Sequence, residues 1–386
     1  MTGAAEDEAG PLAAVQRIAP LLGGEAARIE VAGALPPELL DTLHAAGLFR
    51  MLLPRTLGGM ELRPEAYASV IEAVAEVDAS TAWCLGQASG CTFAAAYLPP
   101  DAAHAVFAEP RSVLAWGPGP GAQATVVPGG VRLTGHWHFA SGCRHASWLG
   151  GHAAVMAEDG AKLGERTFLF PREAAELVPV WQVIGLRGTG SEDFRVSGLF
   201  VPEAFGLLRD RPEERRIEAP LYRFTTNAIY GASFAAVALG IARAMLAALV
   251  ALAAGKVPRA GARTLRETAS VQREVGQAEA RLRAARLLLH EALGRAWAEA
   301  CAGGALIPLD CRIAIRMAAT HAISEAVRVA DAAYHAAGGD AVFADNAFER
   351  RFRDIHALAQ QVQARESHFE AVGRHLMGLP ADSPWL

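Results

Sequence analysis

Cysteine is scarce in this 386-residue sequence, and its five cysteines are scattered. They are Cys84, Cys91, Cys143, Cys301 and Cys311. No two of them form a CxxC pair, and none has metal-ligand spacing to a histidine, which excludes a disulfide framework and a cysteine-based metal centre. We therefore expect no metal site. Scattered cysteines of this kind predict buried free thiols in a reducing cytoplasm.

Charge is also limited, because charged residues make up 20% of the chain and the net charge is −5 at pH 7. A nucleic-acid partner would need a basic face, so none is expected. The first ten residues are acidic and lack the apolar run of a signal peptide. Residues 228–254 are apolar apart from Arg243, but their many alanines predict the core helix of a bundle. We therefore expect no membrane association.

Hydrophobic periodicity divides the chain into helical, β-rich and helical parts. Residues 12–109 show helical spacing, and residues 113–205 alternate β-branched and polar positions. Within the second part, the sequence PGG at residues 128–130 predicts a hairpin. The helical pattern returns beyond residue 220, which favours an α+β protein. The expected domains are an N-terminal helical domain (1–112), a middle β-domain (113–219) and a C-terminal helical bundle (220–386).

Two glycine-rich stretches punctuate the β-rich part, GHWHFASG at residues 135–142 and GLRGTGSED at residues 185–193. An early helix runs into a GG turn at residue 59, and AAGG at residues 336–339 is followed by FERRFRD at residues 348–354. In this order the four segments resemble the acyl-CoA dehydrogenase superfamily. Its members hold a flavin between a small β-barrel and a helical bundle with four helices. The resemblance implies that fold for this chain.

The resemblance assigns both glycine-rich stretches to loops that face the flavin. Glycines there let backbone N–H groups approach a ring or a phosphate closely. Serine hydroxyls can hydrogen-bond flavin N5 or the phosphates, and tryptophans supply flat walls for the ring. The cofactor-binding residues expected in this part are Trp116, Ser141, Gly142, Trp181 and Ser191. Taken singly, each residue is more typical of a tight turn or a core aromatic than of a cofactor contact, and the ordered pattern favours the flavin role.

The same resemblance implies a cofactor shared between subunits. Arg263 stands where superfamily members place an arginine on the flavin phosphate of a neighbouring subunit, and Gly338 and Gly339 match a close backbone approach to that cofactor. The implied assembly is a homotetramer. The alternative interpretation is an ordinary surface arginine and a glycine at a helix C-terminus.

The catalytic acid of the dehydrogenases is missing. Many of them place a glutamate about nine residues after the arginine of the Arg-Asp pair, to remove a proton from a thioester substrate. Counted from Arg353, that position is Val362, and valine cannot accept a proton. Other dehydrogenases use an earlier helix, but residues 241–256 contain no acid. A dehydrogenase of the common type is therefore disfavoured.

The chain resembles a second branch more closely, the oxygenase components of two-component reduced-flavin monooxygenases acting on 4-hydroxyphenylacetate, dibenzothiophene or indole-acetate. The shared motifs are Trp-x-Phe-x-Ser-Gly, here residues 137–142, and Arg-Asp-x-His, here residues 353–356. Several members carry a histidine where this chain has Gln361. A phenol that must lose its proton is therefore a less suitable substrate than an electron-rich ring such as an indole.

The resemblance thus implies an oxygenase that takes FADH2 or FMNH2 from a separate NAD(P)H–flavin reductase. With O2 it would form a C4a-(hydro)peroxyflavin and transfer one oxygen atom to a small aromatic or heteroaromatic substrate. The expected catalytic residues are Ser141, Gln361 and His356, and the expected substrate contacts are Trp83 and Phe224. Two alternatives stay open: an acyl-CoA dehydrogenase with a displaced base, and a flavin or ligand binder without catalysis.

Overall fold

The computed structural model describes residues 2–259, 261–381 and 383–386, and its N-terminal part is helical. The helices there are α1 (Thr2–Ala32), α2 (Pro37–Ala45), α3 (Pro64–Val77), α4 (Ala79–Cys91) and α5 (Pro100–Phe107). Proline occupies the first turn of α2, α3 and α5, where its missing N–H costs no helical hydrogen bond. Asp78 caps α4, because its carboxylate accepts a hydrogen bond from the Thr81 amide at 2.7 Å.

The middle part of the described chain forms one mixed sheet of eight strands. They are β1 (Leu114–Gly117), β2 (Gln123–Val127), β3 (Gly130–Ala140), β4 (Trp148–Met156), β5 (Lys162–Pro171), β6 (Glu176–Val178), β7 (Glu192–Pro202) and β8 (Gly206–Leu207). Their order across the sheet is β6-β7-β3-β2-β4-β5-β8, and β1 lies parallel to β4. The predicted hairpin is confirmed, since β2 and β3 are antiparallel and Gly129 turns with a φ of 79°.

Helices return after the sheet, as α6 (Thr226–Gly255), α7 (Ala269–Ala302), α8 (Leu309–Ala337), α9 (Glu349–Leu358) and α10 (His368–Leu376). The core helix is α6, which packs against α3, α4 and α8. Gly240 lets α3 approach α6, because a Cβ there would lie 2.4 Å from the Glu72 carbonyl oxygen. Within the described residues α6 is also the one helix long and apolar enough to cross a membrane, but most of its apolar window is buried in the protein. The predicted α+β class is confirmed.

A β-bulge in β3 sets the direction of the first glycine-rich stretch. The register between β3 and β7 shifts by one residue between Trp137 and Ala140. Before the bulge, Trp137 is fully buried, stacks on Phe194 with ring centroids 5.0 Å apart, and donates its indole N–H to the His152 carbonyl at 2.9 Å. Within the bulge, Phe139 has a φ of 55° and is 62% exposed. The bulge therefore turns an aromatic ring outward next to a packed core.

Helix α9 holds the second glycine-rich stretch in place. The buried Asp354 carboxylate accepts a hydrogen bond from the Leu186 amide at 2.6 Å, and the Arg353 guanidinium donates to the Ile184 carbonyl. Leu186 itself has a left-handed φ of 53°. Only glycine fits at residue 185, because a Cβ there would lie 2.2 Å from the Arg353 carbonyl oxygen. The Arg-Asp pair of α9 thus fixes the backbone that leads into the loop.

We expect the charge of Asp354 to make stability depend on pH. Burial raises the pKa of Asp354 to about 7. The folded state therefore favours the protonated carboxyl, and this contribution to stability is complete below the unfolded pKa of about 4. It is lost as the pH rises from about 4 through about 7. The Asp354→Asn variant keeps the hydrogen-bond acceptor without the charge, so its stability should rise relative to the wild type across this interval.

Chemical denaturation of the wild type and the Asp354→Asn variant at several pH values measures the difference between their free energies of unfolding. The contributions of the other titrating groups are the same in both proteins and cancel in this difference. An unchanged difference between pH 4 and 7 would contradict a buried, titrating Asp354. The Asp354→Ala variant serves as the matched comparison. It also lacks the titrating carboxyl but leaves the Leu186 amide without its acceptor, so it should be less stable than Asp354→Asn by about 1–3 kcal/mol at every pH.

Candidate functional site

The two glycine-rich stretches meet at a network of hydroxyl groups. The Ser141 and Ser191 hydroxyl oxygens lie 2.7 Å apart, although the residues are 50 positions apart in sequence. Trp83 of α4 donates its indole N–H to the Ser141 oxygen at 2.9 Å, and Ser191 also contacts the Thr189 hydroxyl at 2.7 Å. The Gly142 amide donates to the Thr189 carbonyl at 2.9 Å, which joins the two loops. The structure therefore brings predicted residues from three segments into one cluster.

A stack of aromatic rings extends from this network along α6. Trp83 lies flat on Phe234, with ring centroids 3.9 Å apart and planes 10° from parallel. Phe234 in turn stacks on Tyr230 at 5.7 Å. Burial raises the pKa of the Tyr230 phenol well above its ordinary value, so the hydroxyl stays neutral at physiological pH. The side of the network that faces α4 and α6 is thus a dry aromatic wall.

An exposed aromatic corner stands on the other side of the loops. The Phe139 ring meets Trp181 edge-on at 6.1 Å, and Trp181 donates its indole N–H to the Leu186 carbonyl at 3.1 Å. The Glu192 carboxylate accepts the backbone amide of Trp181 at 2.9 Å and so fixes the segment. Phe139 is not among the site residues predicted from the sequence, although the Trp-x-Phe-x-Ser-Gly motif contains it. Its positive φ and exposed ring are features that cluster at functional sites.

Trp116 does not form the open flat wall expected from the sequence. The residue is 3% exposed, and the Arg209 guanidinium lies 4.4 Å from its ring centroid. His152 approaches the same ring at 5.5 Å, and Gln87 donates to the Trp116 carbonyl. A flavin could stack on the face that Arg209 covers only by displacing a cation–π contact. The covering residue lies far along the chain, which is why the local sequence did not reveal it.

A buried histidine lies against the loop that contains Ser141. A Cβ added at Gly142, whose φ is 80°, would lie 3.1 Å from the His145 ring nitrogen Nε2. Burial lowers the pKa of His145 to about 4, so its ring is neutral at physiological pH. Glycine suits residue 142 for two reasons: the backbone there is left-handed, and the His145 ring leaves little space for a Cβ.

The segment after α9 contains amide groups where dehydrogenases have an acid. Gln361 accepts a hydrogen bond from the Gln363 amide through its side chain at 2.6 Å and so caps a short turn. The Val362 carbonyl accepts a hydrogen bond from the His368 ring at 2.7 Å. Behind the turn, the buried Arg316 guanidinium donates to the Gln363 side-chain oxygen. Residues 361–363 therefore offer no carboxylate for proton removal.

Arg316 is a site feature that the sequence analysis missed. It is 2% exposed, and its described acceptors are neutral: the Gln363 side chain and the carbonyl groups of Asn227 and Trp385. Burial lowers the pKa of Arg316 to about 10, so the guanidinium remains charged. The side chain ties α8 to the start of α6 and to the turn after Gln361. No local pattern marks this role, because its partners are distant in sequence.

Two predicted residues lie apart from the cluster. His356 on α9 bonds the Asp331 carboxylate of α8 at 2.9 Å, and its ring packs 4.4 Å from Phe352. Phe224 is fully buried, and its described ring contact is with Trp297 of α7 at 6.4 Å. The described contacts of both residues are therefore with the helical bundle rather than with Ser141 or Trp83. Core packing accounts for Phe224 in this position.

Arg263 and the glycine pair lie at the same end of the bundle. Lys256, at the end of α6, donates to the Ala337 carbonyl at 2.5 Å, just before Gly338 and Gly339. The Lys256 carbonyl accepts the Leu265 amide at 2.8 Å, two residues after Arg263. The Arg263 side chain and both glycines are exposed, and Gly338 has a φ of 67°. The fold thus presents an exposed cation and an open glycine turn on one end.

Comparison with protein-family models gives two matches that together include more than half of the chain. Residues 14–98 match the N-terminal domain of acyl-CoA dehydrogenase, and residues 232–366 match its C-terminal domain. The chain belongs to the acyl-CoA dehydrogenase family. The superfamily resemblance deduced from the four sequence segments is confirmed.

The relatives that match along most of their length are flavin-dependent oxygenases. The indole-3-acetate monooxygenase of Pseudomonas putida is 29% identical over 88% of this chain and 87% of its own length. The FADH2-dependent resorcinol hydroxylase, oxygenase component, of a Rhizobium species is 27% identical over 95% of this chain and 93% of its own. The crystal structure of the HsaA monooxygenase from Mycobacterium tuberculosis superposes with a TM-score of 0.91, covering 98% of this chain and all of that one at 26% identity.

Proposed function

We propose that this chain is the oxygenase component of a two-component monooxygenase. It would bind reduced flavin, FADH2 or FMNH2, made by a separate NAD(P)H–flavin reductase. With O2 it would insert one oxygen atom into a small aromatic or heteroaromatic substrate. The observation that supports this most directly is the Ser141 hydroxyl network at the meeting point of the two loops, together with valine at residue 362. The names of the relatives point to the same branch.

The residues present fit a flavin. A serine hydroxyl has one donor and two acceptor positions. Ser141 accepts from Trp83 and shares one hydrogen bond with Ser191, so one position stays available for a ring nitrogen. The exposed Phe139 ring and the half-buried Trp181 lie beside it as aromatic contacts for an isoalloxazine. When bound, reduced flavin supplies the reaction with oxygen, while the protein supplies position and a dry surrounding.

The aromatic stack is the proposed substrate side. Trp83, Phe234 and Tyr230 form a continuous wall from Ser141 along α6. The turn that Gln361 caps lies near this region, since a Cβ added at Gly231, next to Tyr230 on α6, would lie 3.6 Å from the Gln363 side-chain oxygen. Because amide groups replace a histidine base there, the proposal favours electron-rich rings that need no prior loss of a proton. A dehydrogenase is disfavoured, since proton removal from a thioester needs a carboxylate within hydrogen-bond reach.

The same proposal includes a cofactor shared between subunits of a homotetramer. Arg263 and the Gly338–Gly339 turn lie exposed at one end of the bundle, tied together through Lys256. An arginine is suited to a flavin phosphate by its planar donors, and a glycine turn permits close backbone approach. Both would then serve the site of a neighbouring copy.

We expect oxygen transfer in a reconstituted assay. The protein is loaded with anaerobically reduced FAD or FMN, mixed with oxygen, and supplied with a panel of indoles, phenols and heteroaromatic thioethers. A suitable substrate should lower hydrogen peroxide release and yield a product with one added oxygen atom, measured by mass spectrometry with 18O2. As a contrast, acyl-CoA thioesters should not bleach bound oxidised flavin. Stoichiometric peroxide with every substrate, or rapid bleaching by a thioester, would overturn the proposal.

The Trp83→Phe variant should uncouple oxygen consumption from product formation. Phenylalanine keeps the stack on Phe234 but removes the N–H that fixes the Ser141 hydroxyl. A neutral hydrogen bond contributes about 0.5–1.5 kcal/mol, so the ratio of peroxide to product should rise roughly 2- to 10-fold. Trp297→Phe on α7 is the matched control and should leave the ratio unchanged. Equal ratios in the wild type and both variants would assign Trp83 to core packing alone.

The Arg263→Ala variant should weaken flavin binding and loosen the oligomer together. A charge-assisted phosphate contact contributes about 1.5–3 kcal/mol, which raises the dissociation constant roughly 10- to 100-fold. Titration of reduced flavin and sedimentation velocity measure the two effects. Arg266→Ala, an exposed arginine three residues on, is the control. Unchanged affinity in Arg263→Ala would make residue 263 an ordinary surface arginine.

A further inference from the structure

Two histidines and an aspartate converge on the outer side of the sheet. His136 and His138 are two residues apart on β3, so their side chains share one face of the strand. Asp193 projects from β7 at the bulge. Its oxygen Oδ2 lies 3.0 Å from His136 Nε2 and 2.8 Å from His138 Nδ1, and the two imidazole rings are 4.5 Å apart. One nitrogen or oxygen of each side chain thus lies within 4.8 Å of those of the other two.

Among the described residues, neither lysine nor arginine forms an ion pair with the Asp193 carboxylate, which favours a bound cation. Asp193 is 8% exposed, and its ion-pair partners among the described residues are the two histidines. Arg195, which lies opposite His136 on β7, pairs with Glu176 at 2.7 Å instead. A buried carboxylate is stabilised by a positive partner, and a cation bound between the three side chains would supply one. The histidine side chains are 47% and 38% exposed, which leaves a path for an ion from solvent.

We propose that His136, His138 and Asp193 bind a divalent transition-metal ion of the Zn²⁺, Co²⁺ or Ni²⁺ class. Two imidazoles and one carboxylate select such ions over Mg²⁺ and Ca²⁺, which prefer oxygen ligands. The spacings of 2.8 and 3.0 Å are close to the separation of adjacent ligands at right angles around an ion with bonds of about 2.0–2.1 Å, as in octahedral coordination. With three protein ligands, the remaining coordination positions of the ion would be open to water. A metal ion here would depart from the expectation of no metal, which rested on the spacing of the cysteines along the chain and took no account of residues on neighbouring strands.

The position of the ion connects it to the loop described above. β3 continues from His138 directly into Phe139 and the bulge, and β7 begins at Glu192, beside Ser191. An ion bridging His138 and Asp193 would fasten the two strands at the point where they enter the hydroxyl network. We therefore expect metal binding to raise the melting temperature, because a ligand that binds only the folded state stabilises it.

The test uses the 386-residue protein after treatment with a chelator, without flavin. Isothermal titration with Zn²⁺ should give one tight site per chain, and Co²⁺ should give the visible absorption of a histidine-ligated ion. The His136→Gln and Asp193→Asn variants should lose affinity at least about 10-fold and lose the Co²⁺ signal. His136 is half-exposed, so its replacement leaves the core intact, and circular dichroism verifies the fold.

His104→Gln, an exposed histidine on α5, is the matched control and should bind as the wild type does. Two results would overturn the proposal. Absence of a stoichiometric site in the wild type would show that the three side chains form a hydrogen-bonded cluster only. Equal binding by the wild type and His136→Gln would place the ion elsewhere. Neither result bears on oxygen transfer, since the assay contains no flavin.

Discussion

The hydrogen bond from the Leu186 amide to the Asp354 carboxylate is the contact on which the rest of the site depends. It connects α9 of the helical bundle to the loop that extends from the sheet, and the acceptor is fully buried. Leu186 starts the turn that ends at Ser191, so the position of the Ser191 hydroxyl follows from where α9 lies. A buried donor or acceptor that loses its hydrogen-bond partner destabilises the folded state, so this contact restricts the loop to one geometry.

The geometry of that turn then determines what Ser141 can do. Ser191 reaches Ser141 only because the two loops are joined by the Gly142 amide and the Thr189 carbonyl. Trp83 enters from α4, which belongs to the N-terminal helices, and takes one acceptor position on the Ser141 oxygen. Helices before the sheet, the sheet itself and helices after it thus all contribute to one hydroxyl. A shift of any one of them would alter the direction of its remaining bonding position.

Local sequence predicted the parts of this arrangement that depend on chain direction and residue type. Glycines with serines marked the two loops, and the proline-glycine sequence at residues 128–130 marked the hairpin. Contacts between distant segments were not predictable in this way. Arg209 covers Trp116 through tertiary packing. Phe139 points outward because the register between β3 and β7 shifts at this point. The same register shift brings Asp193 to His136 and His138, which no spacing along the chain records.

The turn after α9 shows how one fold can serve two chemistries. Many dehydrogenases place a carboxylate there, and a carboxylate beside the buried Arg316 would form an ion pair with it rather than remain a free base. This chain instead has valine at residue 362 and an amide, Gln363, as the acceptor of the Arg316 guanidinium. The turn is therefore held in shape without an acid. Without an acid in the turn, the reacting groups of the proposed oxygenase would come from the bound flavin and oxygen.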